Sequence, residues 1–396
     1  MVSMRKVIPL AIFLFLCFGA SAFPVQVVFV IPGMMGSTME DSLSVIPRLQ
    51  KPPASPADCP PIDTLKVHDP YGTVGWTRFI ARLSEDSNRR VFEVPYDWRQ
   101  SLDTIWKRYI KPEIDRRKGL DDEGKVDIIA HSMGGLAVRA YIQSEVYEQD
   151  IRRFAMIGTP NEGYPGVYLM LEKAELHENK NIPKILEVKN LALAMLSRIQ
   201  LKESIVFEQI LKKNGFLSAD ADLLASQTAI SKTETGYRFE QGEKSLFLHD
   251  ADVAREIKTI FPSLFSLLPT YPFLITGEGD VEYVGSQSNE LFDLNCPAGM
   301  KLWASRVGFG EGQIRVTLFL SDNGQNRTLR AISPAGNERA YGSGDGTVLD
   351  AFYGSETFTR TFFESVTIIR GRYGDHTALP GHDIIQQKIL TLLSTP

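Results

Sequence analysis

Cysteine is scarce in this sequence, with three among 396 residues at positions 17, 59 and 296. That excludes a small disulfide-stapled scaffold, and no Cys/His spacing fits a zinc site. The apolar run near the N-terminus, Val7 to Phe18, falls short of the ~20 residues a membrane-spanning helix needs. Neither sign of charge dominates: 43 Lys and Arg stand against 48 Asp and Glu, a formal net charge of −5, so the basic footprint of a nucleic-acid binder is missing. Histidine is also sparse, at six residues, which makes the search for a catalytic imidazole short. What remains is ordinary globular material, 43% apolar with 31 glycines and no sustained heptad, long enough for one large domain with an insertion or for two domains.

Residues 1–22 read as a secretory signal peptide. Arg5 and Lys6 precede the apolar run, and Ala20-Ser21-Ala22 offers a small-residue cleavage site, so a secreted or periplasmic location is expected. Cys59 and Cys296 then remain, either paired or as two free thiols.

The chain from residue 23 alternates strand and helix patterns. Val25 to Ile31 is a continuous valine-rich run, the mark of a strand buried on both faces and therefore of a parallel sheet. A Pro-rich stretch within residues 40–75 reads as an N-terminal flap. Beyond it come a helical segment from Arg78 to about Leu83, a strand Arg90 to Val94, a helix Ser101 to Arg117, a strand Lys125 to Ala130, a helix from Met133 and a strand Phe154 to Gly158. This is an α/β pattern, a mostly parallel sheet flanked by helices. Over residues 161–272 strand signals vanish, and a helical cap or lid insertion is expected, with Leu191 to Ile199 either lining a lid or forming plain helical core. Strands return at Ile314 to Leu320 and Phe362 to Ile369, before a last helix near Asp383 to Leu393.

Ser132 sits in Ala130-His131-Ser132-Met133-Gly134, between an apolar strand and a helix. A nucleophile elbow turns so sharply there that small residues must stand two before and two after the serine, as Ala130 and Gly134 do. A serine that merely caps the helix would not need them. The hydroxyl needs a base. In this architecture the partners follow in the order serine, acid, histidine, which removes His68; His131 adjoins Ser132 with its side chain directed elsewhere; His177 and His249 fall in the insertion. His376, on a loop after the last strand, is therefore preferred over His382, which begins the final helix. Asp345 in Gly344-Asp345-Gly346 is the preferred acid, against an Asx turn or the adjacent Asp375. Backbone N–H donors for an oxyanion are expected from Met133 and from Met34 in the Gly33-Met34-Met35-Gly36 turn, where Ser37 lacks an elbow of its own.

With these residues assembled, the chain resembles the lecithin:cholesterol acyltransferase family of α/β-hydrolases. Val28 to Ser37, Pro95-Tyr96-Asp97-Trp98-Arg99, His131 to Gly135, Gly158-Thr159-Pro160 and Gly344 to Val348 are similar to its motifs in order. The resemblance implies a serine acyl-enzyme with lipid acyl esters as donors, water or an alcohol such as a sterol as acceptor, contact with a membrane surface, and no metal or organic cofactor. The paired-cysteine lid of the family's animal members has no counterpart, since the flap carries only Cys59. Asp97 and Arg99 are expected to bond to each other in the interior, and Phe292 to Gly312 matches no family segment. The alternatives are a general triacylglycerol lipase or carboxylesterase, a lipid-glycan deacylase, and a catalytically silent hydrolase fold that binds lipid or a partner.

Overall fold

A computed structural model describes residues 25–39, 59–67, 69, 75–173, 229–233, 235–241, 243–277, 280–282, 289–324, 328–350, 363–371 and 374–395. Residues 1–22, on which the signal-peptide expectation falls, most of the flap and Leu191 to Ile199 lie outside the described residues.

Six parallel strands form the central sheet: β1 (Gln26–Ile31), β2 (Arg89–Glu93), β3 (Val126–His131), β4 (Ile151–Ile157), β5 (Arg315–Asp322) and β6 (Ser365–Arg370), in the order β6-β5-β4-β3-β1-β2. Parallel strands need crossovers, and helices on both faces bury both sides of the sheet. Hence Val27 through Ile31 show no exposure at all. Val27, Phe29 and Ile31 enter one core, while Val28 and Val30 enter the other beside Trp76, Phe79 and Leu83 of α1 (Trp76–Leu83) and Ile385, Ile389 and Leu393 of the C-terminal helix Asp383–Ser394. Strand order reverses at β1, so β1 and β3 lie side by side and their C-terminal loops face a common crevice, the usual ligand position in such sheets.

Two expectations need refinement. The helix over Ser101 to Arg117 is present but not uniform: turns at Leu102–Ile105 and Lys111–Arg117 flank a wide π turn at Trp106–Ile110. Pro112, just beyond that turn, has no N–H to donate and its ring crowds the preceding carbonyls, and widening the turn accommodates both. The region 161–272 is not wholly helical either. Besides the helices Gly166–Lys173 and Asp250–Ile260 it contains an antiparallel three-stranded sheet, Ala229–Lys232, Gly236–Gln241 and Lys244–His249. Its signal was present, since Tyr237 and Phe239 alternate with Arg238 and Glu240 between Gly236 and Gly242, the period of a strand.

A smaller four-stranded sheet is built from Leu274–Thr276, Asp280–Glu282, Thr328–Ile332 and Arg339–Gly342. Ser37–Met39 pairs with Leu65–Val67, so the described ends of the flap meet in a short ribbon. Cys59 is buried, Cys296 is partly exposed, and both are free thiols. The segment without a family match forms helices Glu290–Asn295 and Pro297–Arg306, which pack on α2 (Met133–Ile142). Arg139 of α2, fully buried, donates to Asn161 Oδ1 (3.0 Å) and Asn295 Oδ1 (2.9 Å). Gln143 donates to the carbonyls of Leu294 and Gly299.

Candidate active site

Ser132 stands between the end of β3 and the start of α2 with φ 51° and ψ −128°, a conformation that costs a non-glycine residue about 1–3 kcal/mol and must be held by its surroundings. Three features hold it. The Ser132 amide donates to the Ile157 carbonyl (2.8 Å), the Gly135 amide donates to the Ser132 carbonyl (3.0 Å), and Gly33 backs directly on the turn. A Cβ at Gly33 would lie 2.8 Å from Ser132 Cβ, so only glycine lets the β1 loop approach so closely. The Ser132 side chain makes no cap hydrogen bond to α2, so this serine does not serve as a helix cap.

Its hydroxyl points instead at His376. Ser132 Oγ lies 2.9 Å from Nε2 of His376, and Nδ1 of His376 lies 2.7 Å from Oδ2 of Asp345. Each partner arrives by its own local structure. Asp345 follows the strand Arg339–Gly342, and its Oδ1 accepts the amides of Thr347 (2.9 Å) and Val348 (2.6 Å), leaving Oδ2 for the imidazole. The Thr328 hydroxyl accepts the Gly346 amide (2.8 Å), fastening the acid loop to the smaller sheet. His376 opens a 3₁₀ turn, His376–Gly381, and its amide donates to the Asp345 carbonyl (3.1 Å). Gly158, at φ +55°, leaves room for the ring: a Cβ there would sit 3.2 Å from His376 Nδ1. Asp345 and His376 are buried and Ser132 is partly exposed, so a substrate can reach the hydroxyl while solvent has little access to the relay behind it.

The remaining sequence candidates separate cleanly. Met34 lies in the Gly33–Gly36 turn, closed by the Gly36 amide on the Gly33 carbonyl (3.0 Å), and so beside Ser132; Met133 is the first residue of α2, whose opening amides have no helical acceptor. Ser37 is fully buried, and its Oγ accepts the Tyr96 amide (3.0 Å). His382 caps the final helix, its Nδ1 accepting the Ile384 amide (3.3 Å). Asp375 accepts from Asn323 Nδ2 (3.2 Å). Asp97 and Arg99 form a buried two-pronged pair, at 2.8 and 2.7 Å, as expected.

Sequence reading missed two neighbours of this cluster. Tyr96, fully buried, donates its hydroxyl to the Pro32 carbonyl (2.8 Å) and so braces the loop that carries Met34. His131 packs against His376, with ring centroids 4.8 Å apart, and its Nε2 lies 3.0 Å from the His376 carbonyl oxygen. Burial and the neighbouring imidazole of His376 push the His131 pKa well below the ordinary histidine value, so it stays neutral.

Among the described residues, one group of three acids stands close enough together to suggest a cation: Asp115, Glu148 and Asp150. Lys111 and Lys118 already occupy it, with Lys118 Nζ 2.6 Å and Lys111 Nζ 3.1 Å from Glu148 Oε2, and their charges serve where an ion would. No helix among the described residues is long and apolar enough to cross a membrane.

Residues 74–207 match the family model for lecithin:cholesterol acyltransferase, a span that includes Ser132 and Pro95 to Arg99. No curated protein matches the chain in sequence. Among solved structures, the chain is similar to the mature form of lipase BlEst2 from Bacillus licheniformis (9% identity, covering 94% of this chain and 93% of that one, TM-score 0.39). It is also similar to lipase 1 from Pelosinus fermentans (11%, 94% and 100%, 0.40) and to MenH from S. aureus (11%, 95% and 96%, 0.37). Likenesses this distant say nothing about chemistry. The doubly wound parallel sheet, with a serine elbow after its third strand, is the α/β-hydrolase fold on its own evidence.

Proposed function

We propose that this protein is a serine-dependent lipid acyl hydrolase or O-acyltransferase working through an acyl-enzyme. The observation that carries the reading is the pair of hydrogen bonds at His376, 2.9 Å to Ser132 Oγ and 2.7 Å to Asp345 Oδ2, on a serine held at positive φ. The family match over residues 74–207 supports a lipid ester as the substrate.

A carboxylate oxygen can only accept, so Asp345 Oδ2 fixes the proton on Nδ1 and leaves the Nε2 lone pair toward the serine. As Ser132 Oγ bonds to the ester carbonyl carbon, Nε2 takes the hydroxyl proton, and Asp345 stabilises the resulting imidazolium. The negative charge gathers on the former carbonyl oxygen, for which the amides of Met133 and Met34 are the proposed donors. Collapse breaks the bond to the leaving alcohol, which takes the proton from Nε2 and departs, and the acyl group stays behind on Ser132 Oγ. Water or a second alcohol then gives its proton to Nε2 and attacks the acyl carbon, and the serine recovers its hydrogen.

The first test is a fluorophosphonate probe and a p-nitrophenyl acyl ester applied to the parent and to Ser132→Ala. Labelling at Ser132 and loss of turnover in the variant are expected. A folded parent that neither labels nor turns over would instead indicate a silent lipid- or partner-binding fold. Phospholipid vesicles with and without a sterol then separate release of free fatty acid from formation of sterol ester, with a triacylglycerol and an acylated glycolipid as rival donors.

A further inference from the structure

We propose that His131 is a positioning residue for the reaction: through one hydrogen bond to the backbone of His376 it ties the proposed base to the residue that precedes the proposed nucleophile. The inference rests on the acyl-enzyme reading above.

A carbonyl oxygen can only accept, so the 3.0 Å contact between His131 Nε2 and the His376 oxygen places the proton of His131 on Nε2. That bond completes a clamp. The His376 amide donates to the Asp345 carbonyl and the His376 carbonyl accepts from His131. The main chain of the base is thus pinned on one side to its acid and on the other to the nucleophile's own neighbour. Serine and imidazole are 244 residues apart in sequence, yet one peptide unit and one hydrogen bond connect residue 132 to the backbone of residue 376.

The anchor is itself anchored. His131 ends β3, where it pairs in register with Ile157, and its ring meets Trp76 of α1 edge-on at 6.4 Å. A Cβ at Gly33 would lie 3.1 Å from its Nδ1, so the same ring fills the space behind the turn that carries Met34. Neutrality matters as well. The rings of His131 and His376 are 4.8 Å apart, and a charged His131 would oppose the positive charge that His376 acquires in each proton transfer. Burial at 7% exposure removes that conflict.

The geometry separates donor reach from mere space-filling. Glutamine can place an amide N–H near the imidazole Nε2 position, whereas asparagine, one methylene shorter, cannot, and both put a neutral amide in the same buried site. The experiment compares parent, His131→Gln and His131→Asn, each checked for a parent-like melting temperature, in p-nitrophenyl ester turnover and in the rate of fluorophosphonate labelling at Ser132. His131→Gln is expected to keep kcat within about threefold of the parent, and His131→Asn to lose on the order of 10- to 100-fold in kcat and labelling rate with little change in KM, as a misplaced base should. Equal rates for the two variants would overturn the proposal, as would a loss confined to KM. Labelling of the parent, together with its abolition in His376→Ala, tests the acyl-enzyme reading independently of either outcome at residue 131.

Discussion

Replacing Asp345 by asparagine changes one heavy atom, and the surroundings of that atom predict a large loss. Oδ1 accepts two backbone amides, from Thr347 at 2.9 Å and Val348 at 2.6 Å. An asparagine must keep its oxygen there, because turning the NH₂ group inward would set donors against donors. The NH₂ then occupies the Oδ2 position, 2.7 Å from His376 Nδ1, and can be accommodated only if Nδ1 becomes an acceptor. The ring proton moves to Nε2, which at 2.9 Å from Ser132 Oγ no longer has a lone pair for the serine proton. Wrong-tautomer relays of this kind lose about 10³- to 10⁴-fold in kcat, or about 4–5.5 kcal/mol of barrier. Because Asp345 is buried behind the imidazole, KM should change little. The assay is p-nitrophenyl ester turnover with fluorophosphonate labelling in parallel, after confirming an unchanged melting temperature. An Asp345→Asn protein that keeps more than a tenth of the parent kcat would refute the reasoning.

Tyr96→Phe should leave the buried Pro32 carbonyl without its donor, costing about 1–3 kcal/mol in denaturant titration. It should also lower kcat severalfold by loosening the Met34 turn, and an unchanged kcat would separate that turn from the reaction. The neutral, buried His131 makes stability pH-dependent: unfolded, it takes a proton near 6.5, whereas folded it resists well below that value. Its contribution is therefore complete above pH 6.5 and falls by about 1.4 kcal/mol per unit as the pH drops, until the buried ring itself charges. Urea midpoints of the parent should decline more steeply between pH 6.5 and 5 than those of His131→Gln, and parallel declines would contradict this. Burial pushes the Cys59 thiol up, so a thiol reagent at pH 8 should modify the partly exposed Cys296 first and Cys59 only on unfolding. Rapid modification of both in the folded protein would argue against the buried placement.

The parts legible in the sequence are those whose physics is local. A strand buried on both faces must be continuously apolar, and Val27 to Ile31 is. An elbow needs small flanks, and Ala130 and Gly134 supply them. The chain order of serine, acid and histidine then left few residues to test, and the structure brings together Ser132, Asp345 and His376. What escaped depends on where side chains end up. The side chain at position 131 must turn away from the adjacent serine, which it does, and only the fold puts the His376 carbonyl in its path. The smaller sheet behind Asp345 is built partly from three-residue strands, too short to carry a period. Its latch, Thr328 on Gly346, joins residues 18 apart with no local mark. Phe292 to Gly312 likewise reveals its purpose only through its partners Arg139 on α2 and Gln143 just after it.

Strand order also sets a schedule. The first four strands of the sheet, and the serine after the third, are complete by residue 157, whereas the last two strands begin at 315 and 365 and the histidine arrives at 376. During synthesis from the N-terminus, the half that presents a hydroxyl can therefore pair its strands long before the half that would deprotonate it exists. On the proposed reading, reactivity toward esters is acquired only after the last strands pair, and a chain cut short between residues 157 and 376 would carry a serine elbow without its proposed base.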